Sequence, residues 1–203
     1  NASLVVEAVS EKLAVKRTLL EEFEDTVRED TVFATNTSSL TVAEIAQNAK
    51  HPERCIAMHF FNPLKAMELV EIGVANFTSR DIVTKAIELA RQLGKIPIVT
   101  KDTYGFLVNR ILGRYLIESM ILVADGVPRT NIDQAAKKFG MASDSGRAMG
   151  PLELIDFVGV ETCLHVLDSL HKIGSRFENR PLFADILHSK YRAERTNLPE
   201  QVI

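Results

Sequence analysis

No glycine occurs before Gly73, so everything ahead of it lacks a Gly-rich loop of the kind that cradles a phosphate. Cysteine is almost missing: Cys55 and Cys163 stand far apart, which fits reduced thiols in a cytosol-like compartment rather than a disulfide framework. Neither sign of charge dominates. With 24 Lys+Arg against 27 Asp+Glu and a net charge of −3, no field points to nucleic acid or an anionic membrane as partner, and any anion site must be local. Runs long and apolar enough to span a bilayer are absent, as are internal repeats and low-complexity segments. The opening NASLVVEAVSEKL carries neither an initiating methionine nor a charged-then-apolar signal peptide, and it already reads as core strand by its fifth residue, the pattern expected of a piece of a longer polypeptide. What the chain has is 203 residues at 46% hydrophobic content, ample for one large domain or two small ones.

Apolar runs and helical periodicities alternate through the first half. LVVEAV at 4–9, interrupted by Glu7, reads as a strand, and Ser10 as the N-cap type ahead of the helix EKLAVKRTLLEEFEDTV. TVFATNT at 31–37 is the next strand, and Thr41 and Glu44 form a T-x-x-E capping box for a short helix reaching about Asn48. CIAMHFF and MELVEIGV follow as strands, then a helix RDIVTKAIELARQL capped by Thr78 or Ser79 and closing on Gly94, then the strand IPIVTK. This alternation predicts an α/β unit with a mostly parallel or mixed sheet. From Asp102 the pattern turns helical. FLVNRILGRYLIESMILVADG predicts a central buried helix ending at Gly126, followed by a Thr130-capped helix to Gly140, a polar loop SDSGRAMGP, and the helices LELIDFV and ETCLHVLDSLHKI separated by Gly159. The boundary falls near Asp102–Gly105, giving domains 1–101 and 102–203.

The chemistry concentrates in HFFNPLKAMELVE, residues 59–71. His59 closes one apolar run, Asn62-Pro63 stops it as a turn, and Glu71 lies inside the next run. Two strands joined by that turn let the imidazole and the carboxylate meet, a pairing that fixes the tautomer and raises the basicity of a general base. A buried histidine satisfied by any acceptor explains the same residues taken alone.

Four stretches align in order and spacing: NTSSL at 36–40, HFFNP at 59–63, LVE at 69–71 and KDTYGFLVNR at 101–110, joined by MGPLELIDFVG at 149–159. Together they resemble the 3-hydroxyacyl-CoA dehydrogenases of fatty-acid β-oxidation, over nearly the whole chain. The resemblance implies the C-terminal part of a Rossmann-type NAD-binding domain followed by a helical dimerisation and substrate domain. It implies NAD-dependent oxidation of (S)-3-hydroxyacyl-CoA to 3-oxoacyl-CoA by a homodimer, in the cytoplasm or, in a eukaryote, the mitochondrial matrix or peroxisome. His59 is similar to the base that takes the proton of the 3-hydroxyl, and Glu71 to its partner. Ser38 and Asn109 resemble the pair around the substrate oxygen, and Glu11, Lys16, Ser38 and Asn62 resemble cofactor contacts.

Simpler roles stand beside these. Taken alone, Ser38 reads as a cap or brace of the strand-to-helix turn, Glu11 as a helix-start acid, Lys16 as a solvated cation and Asn62 as half of a turn pair. An amide at Asn109, inside an apolar helix start, needs hydrogen-bonding partners in any case. Glu153 after Pro151 belongs to a helix start and stays outside the catalytic set. The strand, G-x-G-x-x-G loop and helix with which such an enzyme begins are missing from these residues, so NAD binding by the 203 residues alone is expected to be weak. The ending HSKYRAERTNLPEQVI lacks the Gly-rich, aromatic segment common in the family. A non-catalytic acyl-CoA-binding or structural homologue is the alternative of a different class. A hydrolase built on Ser38 or Cys55 lacks a nucleophile elbow, and zinc held by Cys55, His59 and Glu71 has thin support in one Cys-His pair, so no metal is expected.

Overall fold

A computed structural model describes residues 2–141 and 149–174. Five strands form one sheet in sequence order: β1 (Leu4–Glu7), β2 (Val32–Thr35), β3 (Cys55–Phe60), β4 (Leu69–Val74) and β5 (Ile96–Lys101). β1, β2 and β3 are mutually parallel, β4 runs antiparallel to β3, and β5 parallel to β4. The antiparallel step follows from Asn62-Pro63, which turns the chain back directly after β3; its peptide bond is cis. The β3–β4 register sets His59 opposite Glu71, and Ala57 opposite Gly73.

Alternation along the central strands sends side chains to two helical layers. Phe33, Cys55 and Ala57 pack with Leu20 and Phe23 of α1 (Leu13–Thr26) and with Val42 and Ile45 of α2 (Val42–Ile45). Val32, Ala34, Ile56, Met58, Val70 and Ile72 pack with Ile82, Ala86 and Ala90 of α3 (Arg80–Gln92). Phe23 and Phe33 meet edge-on at 5.1 Å between centroids, an arrangement contributing about 1 kcal/mol beyond its burial. The capping box forms as the sequence predicts, Thr41 Oγ1 accepting from Glu44 N–H and Glu44 from Thr41 N–H, and Ser79 caps α3. At α1 the expectation fails: Lys12 occupies the cap position without a side-chain bond, and Ser10 lies outside the helix.

The helical part holds α4 (Val108–Ala124), α5 (Arg129–Phe139), α6 (Pro151–Val158) and α7 (Val160–His171) around Leu116, Ile117, Met120, Ile132, Leu152, Ile155 and Leu167. α4 buries Leu116, Ile117, Met120 and Val123 but leaves Ile111 and Leu122 exposed, so it is two-sided rather than buried all round. Thr130 sits inside α5, whose start follows Pro128, because the ring fixes the backbone there ahead of the first turn. Glu153 bonds the Gly150 N–H and Lys137, the helix-start role its sequence suggests. Most of the loop SDSGRAMGP and all of HSKYRAERTNLPEQVI lie outside the described residues.

The chain divides into two compact units after Asn109. That point lies beyond the change of sequence pattern at Asp102 because residues 102–109, although they begin the helical run, are tied to the sheet unit. Asp102 accepts the N–H groups of Val42 and Ala43 at 2.7 and 2.8 Å, and Tyr104 Oη donates to Glu44 at 2.8 Å. No helix among the described residues is long and apolar enough to cross a membrane.

Candidate active site

β3 and β4 carry His59 and Glu71 as direct cross-strand partners, so their side chains leave the sheet on one face and meet: Nδ1 lies 2.7 Å from Glu71 Oε2. Glu71 is fully buried and His59 is 6% exposed. The second oxygen of Glu71 is held as well, for Oε1 accepts the N–H of Leu107 at 2.9 Å and of Val108 at 2.8 Å, at the start of α4. Backbone amides at a helix N-terminus favour negative charge, so the carboxylate is fixed by donors at both oxygens. The network assigns the Nδ1 proton to the Glu71 side, which leaves Nε2 as the acceptor; among the described residues it has no hydrogen-bond partner. Phe61 at 4.5 Å and Phe106 at 6.1 Å flank the imidazole ring.

The loop after β2 forms a second wall. Asn36 Oδ1 accepts the Phe60 N–H at 2.9 Å, tying this loop to the end of β3 beside His59. Thr37 Oγ1, the N–H groups of Ser38 and Ser39, and Ser39 Oγ all donate to Glu11 Oε1, at 2.5 to 3.0 Å. Burial pushes the Glu11 carboxyl up, but the Thr37 hydroxyl, the Lys16 charge, the Ser39 hydroxyl and the Ser38 amide outweigh it and hold the group below the usual glutamate range. Asn109 Nδ2 donates to the Ser38 carbonyl at 2.9 Å, which brings the NTSSL and GFLVNR stretches together. The Ser38 hydroxyl itself has no partner among the described residues and is half-buried.

Lys16 and Asn62 are placed differently from the rest. Lys16, which sequence alone leaves solvated, is 1% exposed and lies 2.6 Å from Glu7 Oε1 and 3.3 Å from Glu11 Oε2. Among the described residues it reaches the site through Glu11. Asn62 is exposed, just past the carboxyl end of β3. Sequence reasoning missed Asn36 and Glu7. Glu7 accepts from Lys16, the Val9 N–H and Thr35 Oγ1, and the signal that pointed to it was a carboxylate interrupting the apolar run LVVEAV.

Burial pushes the Cys55 thiol up to about 12 and the Cys163 thiol up to about 11, which leaves both poor nucleophiles. Among the described residues no three His, Cys, Asp or Glu side chains are grouped to hold a metal ion.

Residues 1–103 match the family model described as 3-hydroxyacyl-CoA dehydrogenase, NAD binding domain, and residues 105–198 match its C-terminal domain. The fatty acid oxidation complex subunit alpha of Shewanella sp. (strain ANA-3) is 39% identical over 198 residues, 97% of this chain and 27% of that protein. The chain therefore spans about a quarter of the length of the curated relatives it matches. Among solved structures, FadB2 of M. tuberculosis superposes with a TM-score of 0.83 at 30% identity, covering 94% of this chain and 67% of that one. (S)-3-hydroxybutyryl-CoA dehydrogenase PaaH1 of Ralstonia eutropha gives 0.83 at 32% identity, covering 93% and 66%. A five-stranded mixed sheet bearing a His-Glu pair, a helical second half, and two family models that together run nearly end to end place this chain in the 3-hydroxyacyl-CoA dehydrogenase family.

Proposed function

We propose that the polypeptide carrying these residues oxidises (S)-3-hydroxyacyl-CoA to 3-oxoacyl-CoA, with NAD as acceptor, as a step of fatty-acid oxidation. The observation that carries this reading is the His59–Glu71 pair, 2.7 Å apart, with Nε2 unpartnered among the described residues. Nε2 takes the proton of the 3-hydroxyl as the hydride leaves C3, so no protonated ketone has to form. Glu71, held by two amides, orients the ring and stabilises the imidazolium that results. A base so positioned contributes about 10²–10⁴-fold. Ser38 Oγ and the Asn109 amide hydrogen-bond the substrate oxygen as it becomes a carbonyl, Asn109 being steadied by the Ser38 carbonyl.

The donor set suits the nicotinamide side of a dinucleotide. Beyond the carboxyl ends of the parallel β1, β2 and β3, where open α/β sheets bind ligands, lie the Ser38 hydroxyl, without a partner among the described residues, an exposed amide at Asn62 and the carboxylate of Glu11, whose Oε2 stands 3.3 Å from Lys16. A hydroxyl, an amide and a carboxylate match the carboxamide and ribose hydroxyls of that half. Ser38, Asn62 and Glu11 hold it, with Lys16 acting through Glu11. When bound, NAD supplies the acceptor for the C3 hydride. No Gly-rich loop for its pyrophosphate lies among these 203 residues.

A homodimer through the helical part belongs to the same reading, supported by the exposed Ile111, Leu122, Phe139, Met141 and Phe157. The test is NADH formation by the full-length polypeptide over a chain-length series of 3-hydroxyacyl-CoA substrates, with mass in solution measured alongside. Turnover supports the reading. Acyl-CoA binding with no turnover overturns it in favour of a non-catalytic acyl-CoA-binding homologue.

A further inference from the structure

Glu71 faces His59 with one oxygen while the amides of Leu107 and Val108 hold the other, and those amides directly follow an unusual turn. Gly105 has φ 68° and Phe106 φ 44°, two successive residues in the left-handed region, the second of them carrying a bulky side chain that disfavours it. Phe106 N–H closes the turn on the Thr103 carbonyl at 3.1 Å. A conformation of this kind persists only where its surroundings over-determine it.

The surroundings here are a notch in the sheet. Ala57 of β3 and Gly73 of β4 are direct cross-strand partners and lie on the same face as His59 and Glu71, two positions along each strand. The two smallest side chains thus sit side by side next to the pair. The Phe106 ring fills the space above Gly73: it is 2% exposed, and a Cβ on Gly73 would stand 2.3 Å from its Cε1. One strand therefore carries both the carboxylate and, two residues on, the seat of the ring whose own chain supplies that carboxylate's amide donors.

We propose that Phe106, seated on Gly73, is a positioning residue for the His59–Glu71 pair: it locks the Gly105–Phe106 turn so that the Leu107 and Val108 amides grip Glu71. The catalytic side of this inference rests on the dehydrogenase reading; the geometric side does not.

Gly73→Ala and Phe106→Leu test it from the two sides of one contact. Each is expected to lower kcat by between about 10-fold and 10²-fold with KM changed little, since misplacement of a catalytic group affects the chemical step more than substrate binding. Leu107 and Val108 amide hydrogens are expected to exchange faster in both variants while amides in the β1–β2 pairing do not. The double variant Gly73→Ala/Phe106→Leu, in which the smaller side chain makes room for the added methyl, is expected to recover part of the kcat lost by Gly73→Ala. In a Glu71→Ala background, Phe106→Leu is expected to cost nothing further.

Unchanged exchange at Leu107 and Val108 overturns the proposal whatever the activity. So does a Phe106→Leu effect that multiplies undiminished onto Glu71→Ala, because the ring would then act by some route other than the carboxylate. If the wild-type enzyme turns over no 3-hydroxyacyl-CoA, the dehydrogenase reading falls while the exchange result still decides the geometric lock. Should a variant fold poorly, seen as loss of protection across the whole sheet, the other variant carries the test.

Discussion

Two buried carboxylates stand in the same sheet and meet opposite uses of charge. Glu7 in β1 lies against the Lys16 ammonium, with the Val9 amide and Thr35 hydroxyl completing its shell. Glu71 in β4 lies against His59, and although its own oxygens are equally occupied, its partner keeps a nitrogen unpartnered among the described residues. The first cluster is closed around Glu7: both of its oxygens are matched, and Lys16 turns its remaining reach to Glu11. The second is open at one atom, which is what proton transfer needs. Burial of a charge is therefore a poor guide to function in this chain, and the spare capacity left on the partner is the better one.

Disturbing the closed cluster should cost stability above all. Lys16→Met leaves Glu7 buried without its cation and is expected to destabilise the sheet unit by about 3–5 kcal/mol, read by chemical denaturation. A loss below about 1 kcal/mol would mean that Glu7 gains solvent or another partner, and the contrast with Glu71 would weaken. In the open cluster the balance reverses. Glu71→Gln keeps an oxygen for the amides but no longer stabilises an imidazolium, so kcat is expected to fall by about 10²-fold, with a smaller change in unfolding free energy than Lys16→Met produces. Equal stability losses in the two variants would erase the distinction.

Smaller effects appear with pH. Glu11 is held below its ordinary value of 4.5, so its contribution to stability is present above that value and is lost as pH falls through the lower folded-state value. Asp102 is raised, mainly by burial and against the pull of the Ala43 and Val42 amides, so its contribution is present below its ordinary 3.8 and is lost as pH rises through the higher folded-state value. Tm measured from about pH 3 to 7 should therefore decline less on the acid side in Glu11→Gln than in the wild type, and Asp102→Asn should bend the profile the opposite way. Changes of the same sign in both variants would contradict these two environments.

Much of the fold is legible in the sequence because local chemistry and tertiary structure agree. The alternation of CIAMHFF and MELVEIGV about Asn62-Pro63 already contains the antiparallel pair, and Thr41, Glu44 and Ser79 cap where their residue types say they should. The helix starts at Ser10 and Thr130 misled because a capping residue type is common outside caps, and here the chain enters α1 and α5 past or before them. Within the candidate site, the meeting of His59 with Glu71 follows from strand register. The grip on Glu71 by Leu107 and Val108 was not legible, since backbone amides carry no side-chain signature and the turn that aims them depends on a glycine far back in the sequence, in β4. The burial of Lys16 was hidden for a related reason: a lysine on an amphipathic helix reads as solvated until Glu7 and Glu11 are both known to lie beside it.

The most direct test replaces the base. His59→Ala in the full-length polypeptide, assayed by NADH formation at saturating 3-hydroxyacyl-CoA, is expected to lower kcat by about 10²–10⁴-fold while the protein still binds substrate and unfolds cooperatively. A kcat within about 3-fold of the wild type would place the base elsewhere and contradict the role assigned to the pair.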